Sequence, residues 1–266
     1  MPVKLIDIHH AKDVLSLYET FESGIEGLIH KASEGNWFTD PSMMSRMCIA
    51  WEIGFVLGTY HFYRSNVPGA VQASYFLKAI EPLRKLTDDR LIPVWCDLET
   101  TDGVSDKVRM QQVLQFMRLV SAEYKTCGLY SSPGFWASHT NKPTWIKLYH
   151  QWLAQWTPAN TFNLPAGWSL EMCKLWQKGI AGVHSWMQAS VPGIRGAVDI
   201  DIFPGTITEL KALAGYWDTN VPPVVEPPIP TPDTSNQLKI LDWMLKADVD
   251  LNKAITLARQ CINRND

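Results

Sequence analysis

Four acidic residues at the ends of separate apolar runs are the side chains in this sequence best suited to chemistry. They are Asp7, Asp97, Glu99 and Asp199. Asp97 and Glu99 are two residues apart, so on a strand both side chains leave the same face, roughly 7 Å apart along the backbone. Hydrolysis of a glycosidic bond uses such a pair, because one acid protonates the leaving oxygen and the other stabilises the cationic sugar. Any one acid at a strand end could be a solvated edge, but four of them favour a site.

Two other functions are compatible with the same residues. Asp7, His9, His10 and His61 could hold a metal ion for a metal-dependent hydrolase, since carboxylates and imidazoles are suitable ligands. However, His9 and His10 are adjacent and point in opposite directions on a strand, and no HxH or HxxxH spacing occurs. The other possibility is a carbohydrate-binding barrel without catalysis, against which the Asp97/Glu99 pair argues.

The alternation of strand-like and helical segments predicts the scaffold that positions these acids. Strands are predicted over 3–8, 27–30, 55–62, 91–98, 128–131, 148–156, 173–177 and 196–203, and helices over 11–21, 42–52, 67–86 and 106–125. Such alternation indicates a mostly parallel sheet, and eight strands indicate closure as a barrel. The last third departs from regular repeats. The predicted fold is therefore α/β, an irregular (β/α) barrel.

The working face of such a barrel lies at the carboxyl ends of its strands. Besides the acids, we expect Lys31, Glu34, Tyr60, His61, Tyr130, Trp156 and Gln177 to meet there. Clustered carboxylates repel each other, so at least one should have a raised pKa and hold a proton near neutral pH. The better shielded carboxyl would be the acid. Trp37, Trp136 and Trp156 follow predicted strands, where they could floor a groove for sugar rings.

Composition excludes several classes of partner. The chain has 266 residues, a net charge of −3 and no run of Lys or Arg, so we expect no nucleic-acid binding. No apolar run reaches the ~18 residues of a membrane span, so no membrane insertion is expected. The five cysteines show no CxxC spacing, which favours buried free thiols in a reducing compartment over disulfides or zinc. The first strand begins near Met1 and leaves no room for a signal peptide, which predicts synthesis in the cytoplasm.

The sequence changes character near residue 219. Residues 219–235 contain six prolines and no glycine, which predicts a semi-rigid spacer. Residues 236–266 read as helical, with Leu251, Ile255, Ala258 and Ile262 on one stripe. We therefore predict a catalytic barrel over 1–218, a linker over 219–235 and a small helical tail over 236–266. The tail is expected to form a homo-oligomer or to tether the enzyme to a wall or particle.

Eight segments, in order, resemble glycoside hydrolase family 25, the Chalaropsis-type lysozymes. They are Ile6-Asp7-Ile8, Lys31-Ala32-Ser33-Glu34-Gly35, Gly58-Thr59-Tyr60-His61-Phe62, Gln72-Ala73 with Tyr75-Phe76, Asp97-Leu98-Glu99, Trp152-Leu153-Ala154-Gln155-Trp156, Leu175-Trp176-Gln177 and Gly196-Ala197-Val198-Asp199. The resemblance covers roughly residues 3–215. It implies an irregular barrel, without a cofactor, that cleaves the β-1,4 bond from N-acetylmuramic acid to N-acetylglucosamine in bacterial peptidoglycan.

The resemblance also implies roles for individual residues. Glu99 would be the general acid, and Asp97 would stabilise the oxocarbenium-like centre or orient the substrate's N-acetyl group. Asp7 and Asp199 would line the same pocket and tune pKa values. Tyr60, Tyr130, Trp156 and Gln177 would contact sugar, as would Lys31 and Glu34 at the rim unless these two form a structural ion pair.

Three features depart from the family pattern. The first acid is followed by His9-His10-Ala11-Lys12 where a tryptophan is usual, residues 178–192 are longer and carry Trp186, and Asp201 replaces a common asparagine. A muramidase with a proline-rich spacer, a tail and no signal peptide resembles a phage lysis enzyme or particle component. Such a protein would be made in the host cytoplasm and act on the wall after release.

Overall fold

The computed structural model describes residues 2–124 and 127–215. The strands are β1 Val3–Ile8, β2 Asp13–Val14, β3 Ile25–Glu34, β4 Phe38–Thr39, β5 Val56–Phe62, β6 Val94–Asp97, β7 Cys127–Ser131, β8 His150–Ala154, β9 Cys173–Ala181, β10 Ile194–Arg195 and β11 Val198–Phe203. The helices are α1 Leu17–Glu22, α2 Met43–Ile53, α3 Gly69–Thr87, α4 Asp106–Glu123, α5 Pro133–His139 and α6 Ile207–Leu213, with a 3₁₀ turn at Thr144–Leu148. The predicted linker over 219–235 and tail over 236–266 lie outside the described residues.

Eight of these strands close a barrel, as the sequence predicted. Their order is β1-β11-β9-β8-β7-β6-β5-β3, and pairing of β3 with β1 completes the ring. Seven of the eight run parallel to each other, whereas β11 is antiparallel to both of its neighbours. Antiparallel neighbours need no crossover helix, so β9 and β11 are joined without one. This reversal is what makes the barrel irregular.

The reversed strand corrects how Asp199 reaches the mouth of the barrel. The sequence suggested that each acid follows the end of its own strand. Instead, Asp199 is the second residue of β11 and lies directly opposite Asp7 of β1. The start of an antiparallel strand lies beside the end of its neighbour, so the two carboxylates still reach the same mouth.

The predicted helix over 11–21 is wrong in its first half. Asp13–Val14 instead pairs with Ile194–Arg195. The helix begins only after Ser16, whose side chain accepts a hydrogen bond from the Glu19 amide at 3.1 Å, as an N-cap does. The Ser16 amide donates to the Gly193 carbonyl at 3.0 Å, and only glycine fits at that position, because a Cβ there would lie 1.9 Å from the Ser16 carbonyl oxygen. The strand predicted over 27–30 also extends to Glu34, so Lys31 and Glu34 lie within it.

Side-chain alternation on the strands divides the core into two layers. Tyr60 of β5 points into the barrel with Trp95 and Trp152. Its neighbour His61 points outward, where the imidazole bonds the Ser33 hydroxyl at 2.8 Å and the Gln72 side chain at 3.0 Å. The expectation that His61 lies at the mouth is therefore wrong, because adjacent strand residues face opposite sides.

Burial also settles the position of other expected residues. Cys48, Cys96, Cys127 and Cys173 are buried, and the last three are free thiols, as predicted, while Cys261 lies outside the described residues. Within the described ranges, no helix is both long and apolar enough to cross a bilayer.

Trp136 belongs to the core and not to a groove, which corrects the sequence-based expectation. It is fully buried, its indole N–H donates to the Ala166 carbonyl at 2.9 Å, and its ring packs edge-on against Trp168.

We expect Trp136→Ala to lower the free energy of unfolding by about 3–5 kcal/mol through the cavity it leaves. Urea denaturation measures this, with the exposed Trp37→Ala as the control. Equal denaturation midpoints for the two variants would contradict the assignment.

Candidate active site

A cleft of about 230 Å³ opens at the carboxyl end of the parallel strands. Its walls are formed by Asp7, His9, Lys31, Tyr60, Phe62, Asp97, Glu99, Tyr130 and Trp152. Three of the four predicted acids therefore line one cleft, and Asp199 lies across the β1–β11 pairing from Asp7. The strand ends bring these residues together from positions as distant in sequence as 7 and 152.

Backbone pairing beyond β6 holds the Asp97/Glu99 pair in place. Asp97 is the last residue of β6, and its carbonyl accepts from the Tyr63 amide at 2.8 Å. The Leu98 amide then donates to the Tyr130 carbonyl at 3.0 Å, which keeps the chain extended. Leu98 is fully buried on the opposite side. Asp97 and Glu99 therefore both face the cleft, as their spacing predicted.

The two inner carboxyls of the cleft resist ionisation. Burial raises the pKa of Asp97 well above its ordinary value, and repulsion from Glu99 and Asp7 raises it further. Burial and the neighbouring Asp199 raise the pKa of Asp7 to about 8, although a hydrogen bond from Gln177 at 2.8 Å opposes this shift. A pKa of about 8 favours the protonated form of Asp7 at neutral pH, in keeping with the expectation that clustered carboxylates hold a proton.

The two outer carboxyls are more accessible to water. Glu99 is exposed at the edge of the cleft, yet partial burial and the Asp199 charge still raise its pKa, while Lys31 lowers it. Asp199 is half-buried, and this burial raises its pKa while Lys12 lowers it. The Lys12 ammonium is held nearby by the Ala197 carbonyl at 2.7 Å. The cluster thus has a buried floor and a solvent-facing edge.

Gln177 connects the acids to the aromatic residues predicted for the site. Its amide N–H donates to Asp7, and its carbonyl oxygen accepts from the Tyr130 hydroxyl at 3.1 Å and from the Trp156 indole at 3.0 Å. Burial and the nearby carboxylates raise the pKa of Tyr60 and Tyr130 well above the ordinary value. Both phenols are therefore neutral and able to donate hydrogen bonds.

Lys31 and Glu34 form an ion pair at the rim. The Lys31 ammonium lies 2.6 Å from the Glu34 carboxylate, which also contacts Arg64 at 3.3 Å, and Arg64 in turn binds Asp102 at 2.7 Å. Lys31 lines the cleft with its ammonium above the Phe62 ring, whereas Glu34 does not line it. The structural ion pair is present, and Glu34 orients Lys31 toward the cleft.

Asp201 is a buried acid whose role the sequence did not reveal. One carboxyl oxygen accepts from the Trp152 indole at 2.7 Å, and the carboxyl also interacts with that of Asp7. Burial, followed by the charge of Asp7, raises the pKa of Asp201 well above its ordinary value. Asp201 follows Asp199 by two residues, the same spacing as in the Asp97/Glu99 pair, and this signal could have placed it inside the barrel.

The residues of the metal-site hypothesis are not brought together. His9 lines the cleft with Asp7, but His10 lies 3.2 Å from Asp40 and His61 is in the outer layer of the core. Across residues 2–124 and 127–215, no group of three or more His, Cys, Asp or Glu is arranged to hold a metal ion. The geometry favours carboxylate chemistry.

This chain is similar to known proteins in both sequence and fold. The model of the family described as Glycosyl hydrolases family 25 matches residues 6–181. Uncharacterized protein YegX of Escherichia coli K12 is 28% identical over 186 residues, which are 68% of this chain and 60% of that protein. Lysozyme M1 of Streptomyces globisporus is 25% identical over 223 residues, or 80% of this chain and 71% of that protein. The crystal structure of a lysozyme from Streptomyces coelicolor matches the fold with a TM-score of 0.69 at 22% identity, covering 81% of this chain and 98% of that one.

Proposed function

Because this chain belongs to glycosyl hydrolase family 25, we propose that it is a peptidoglycan hydrolase of the lysozyme type. It cleaves the β-1,4 bond between N-acetylmuramic acid and N-acetylglucosamine. The observation that carries this proposal is the cleft, in which Asp97 and Glu99 share one face while Asp7 and Asp199 lie opposite each other. Two acids on one face of a cleft provide the proton donor and the charge that glycoside hydrolysis requires.

Position in the cleft supports Glu99 as the proton donor. Shielding alone would favour Asp97, since Asp97 is only 6% exposed and holds its proton more tightly. However, Glu99 lies at the open edge, where the departing sugar leaves and water can return the proton. The raised pKa of Glu99 favours the protonated form that a general acid needs.

The unpaired oxygen of Asp97 supports its role beside the reacting carbon. Asp97 Oδ1 is buried and has no hydrogen-bond partner among the described residues. A substrate N-acetyl N–H can donate to this oxygen, or the ionised carboxylate can face the positive charge that develops on the sugar. That charge lowers the pKa of Asp97 during the reaction, so ionisation is favoured when it stabilises the transition state.

The remaining site residues hold the floor of the cleft. Asp7 is protonated and bonded to Gln177, which also binds the Tyr130 hydroxyl and the Trp156 indole. We propose that these groups position the sugar, while Tyr60 and Lys31, which also line the cleft, contact it directly. Glu34 contributes by holding Lys31 in place.

The products identify the bond that is cut. Digestion of purified walls, followed by mass spectrometry of reduced muropeptides, is expected to show new reducing ends on N-acetylmuramic acid. Reducing ends on N-acetylglucosamine would overturn the bond assignment. Retained glycan binding without new reducing ends would instead indicate a carbohydrate-binding barrel without catalysis.

The protonation of Asp7 predicts a specific dependence of stability on pH. Because burial raises its pKa from 3.8 to about 8, the folded state holds a proton that the unfolded state has lost between these values. The Asp7 carboxyl therefore contributes favourably to the free energy of unfolding at low pH, and this contribution is lost as the pH rises toward 8. We expect Asp7→Asn to gain melting temperature relative to wild type as the pH rises from about 4 to 8.

Thermal denaturation at several pH values measures this difference. Glu171→Gln, at an exposed acid outside the cleft, is the matched control and should follow wild type throughout. A constant difference between Asp7→Asn and wild type across the range would show that Asp7 ionises normally in the folded protein.

The setting of this activity is also a proposal. The proline-rich spacer over 219–235 and the apolar stripe of residues 236–266 support a segment that self-associates or tethers the barrel to its substrate. We propose that the enzyme acts on the wall after release from the cell that makes it, in lysis by a phage. Sedimentation of the full chain tests self-association.

A further inference from the structure

We propose that Trp156, His184 and Trp186 form an aromatic platform that binds the glycan strand beyond the bond that is cut. This inference rests on the proposed function and extends it, because it adds a sugar-binding site to the acid cleft. The sequence singled out Trp186 only as an extra residue in a long segment. The structure stacks it on His184, whose ring also contacts Trp156.

The three rings are in contact and open to solvent. Trp186 stacks on His184 with ring centroids 4.6 Å apart and planes at 7°, and the Trp156 ring contacts His184 at 5.2 Å with planes at 52°. Trp156 is 51% exposed and Trp186 41% exposed. Since His184 covers one face of Trp186, the opposite face and edge remain for a ligand.

The platform is rigidly built on the end of β9. The Ile180 amide donates to His184 Nδ1 at 2.8 Å, and the His184 and Met187 amides donate to the Ile180 and His184 carbonyls. Gly179 permits this packing, because a Cβ there would lie 2.9 Å from Met187 and 3.1 Å from the His184 ring. The His184 ring, on which Trp186 stacks, is thus held in place before a ligand arrives, which lowers the entropic cost of binding.

The platform begins where the acid cleft ends. The Trp156 indole donates to Gln177, and Gln177 donates to Asp7, so two hydrogen bonds join the platform to the acid cluster. A strand with one sugar over the acids would therefore extend onto the three rings.

The chemistry of the platform fits the sugar ring of a glycan. A sugar ring has apolar C–H faces that pack on indole rings and polar edges that need hydrogen bonds. Because Nδ1 of His184 accepts the Ile180 amide, the neutral imidazole carries its proton on Nε2. No residue in the described part of the chain accepts from this Nε2 N–H. One donor beside two indole surfaces favours a β-1,4 glycan over a purely apolar ligand.

The test measures glycan binding apart from cleavage. In the full chain carrying Glu99→Gln, calorimetry with four-sugar and eight-sugar fragments of unbranched peptidoglycan glycan gives the affinities. We expect Trp186→Ala to weaken binding of the eight-sugar fragment about tenfold, with a smaller effect on the four-sugar fragment. Trp186→Phe should restore most of the affinity. Leu148→Ala, at a side chain that is 77% exposed, is the control and should bind like the parent.

The outcomes separate this inference from the proposed function. Equal binding of eight sugars by Trp186→Ala and its parent, both folded by circular dichroism, would overturn the platform even if walls are cleaved. Binding that depends on Trp186 without wall cleavage by the unmutated enzyme would support the platform and overturn the hydrolase. No glycan binding by the parent would overturn the platform. In the active enzyme, Trp186→Ala should raise KM for walls more than it lowers kcat.

Discussion

Glu99→Gln is expected to slow wall hydrolysis by about 10²–10⁴-fold while leaving the fold intact. The amide has the shape of the acid but no proton to give to the leaving oxygen. Little stability should be lost, because Glu99 lies at the exposed edge of the cleft and beyond the end of β6. Release of reducing ends from purified walls measures the rate, and circular dichroism checks the fold.

The pH profile gives this variant a second readout. In the wild type, activity should fall as the pH rises through the raised pKa of Glu99, because the proton donor is lost. The residual activity of Glu99→Gln should not show that alkaline fall. A folded Glu99→Gln protein that cleaves walls at nearly the wild-type rate would refute the assignment, whereas Glu171→Gln should be fully active.

Asp97→Asn is expected to cost about 10²–10³-fold in kcat through lost stabilisation of the developing positive charge. The amide still fits the buried site, so the change removes charge and basicity with little change of shape. Because Asp97 is buried with a raised pKa, the uncharged amide should also be as stable as the acid or more so. Loss of activity together with unchanged or increased stability distinguishes a catalytic group from a structural one.

Kinetics and thermal denaturation of the same preparation test this combination. An active Asp97→Asn protein would show that another carboxylate stabilises the sugar, and Asp199 would be the next residue to vary. An inactive and destabilised protein would instead indicate that the Asp97 carboxylate holds the strand ends together.

Local patterns were sufficient to predict the acid pair and the barrel. Asp97 and Glu99 share a face because strand side chains alternate, and this holds whatever packs around them. The alternation of strands and helices likewise predicted closure of the sheet. Both features depend on residues that are close in sequence.

Features that depend on distant residues were not predictable in this way. The direction of β11 is set by its pairing with β1 and β9, so Asp199 was placed at the wrong end of its strand. His61 was assigned to the mouth because it lies near the end of its strand, as Tyr60 does. Only the side chain of Tyr60 points into the barrel, whereas that of His61 points outward. The contact of His184 with Trp186 depends on a loop that fits only over Gly179.

The pairing of the first and last barrel strands has a consequence for when the enzyme becomes active. Asp7 belongs to β1, its partner Asp199 belongs to β11, and Val3 pairs with Phe203 at the far end of the same ladder. A ribosome releases residues in order, so β1 lacks this neighbour until residue 203 has left the exit tunnel. The acid cluster is therefore incomplete on any nascent chain from which β11 has not yet emerged, and catalytic competence requires closure of the barrel by this last strand.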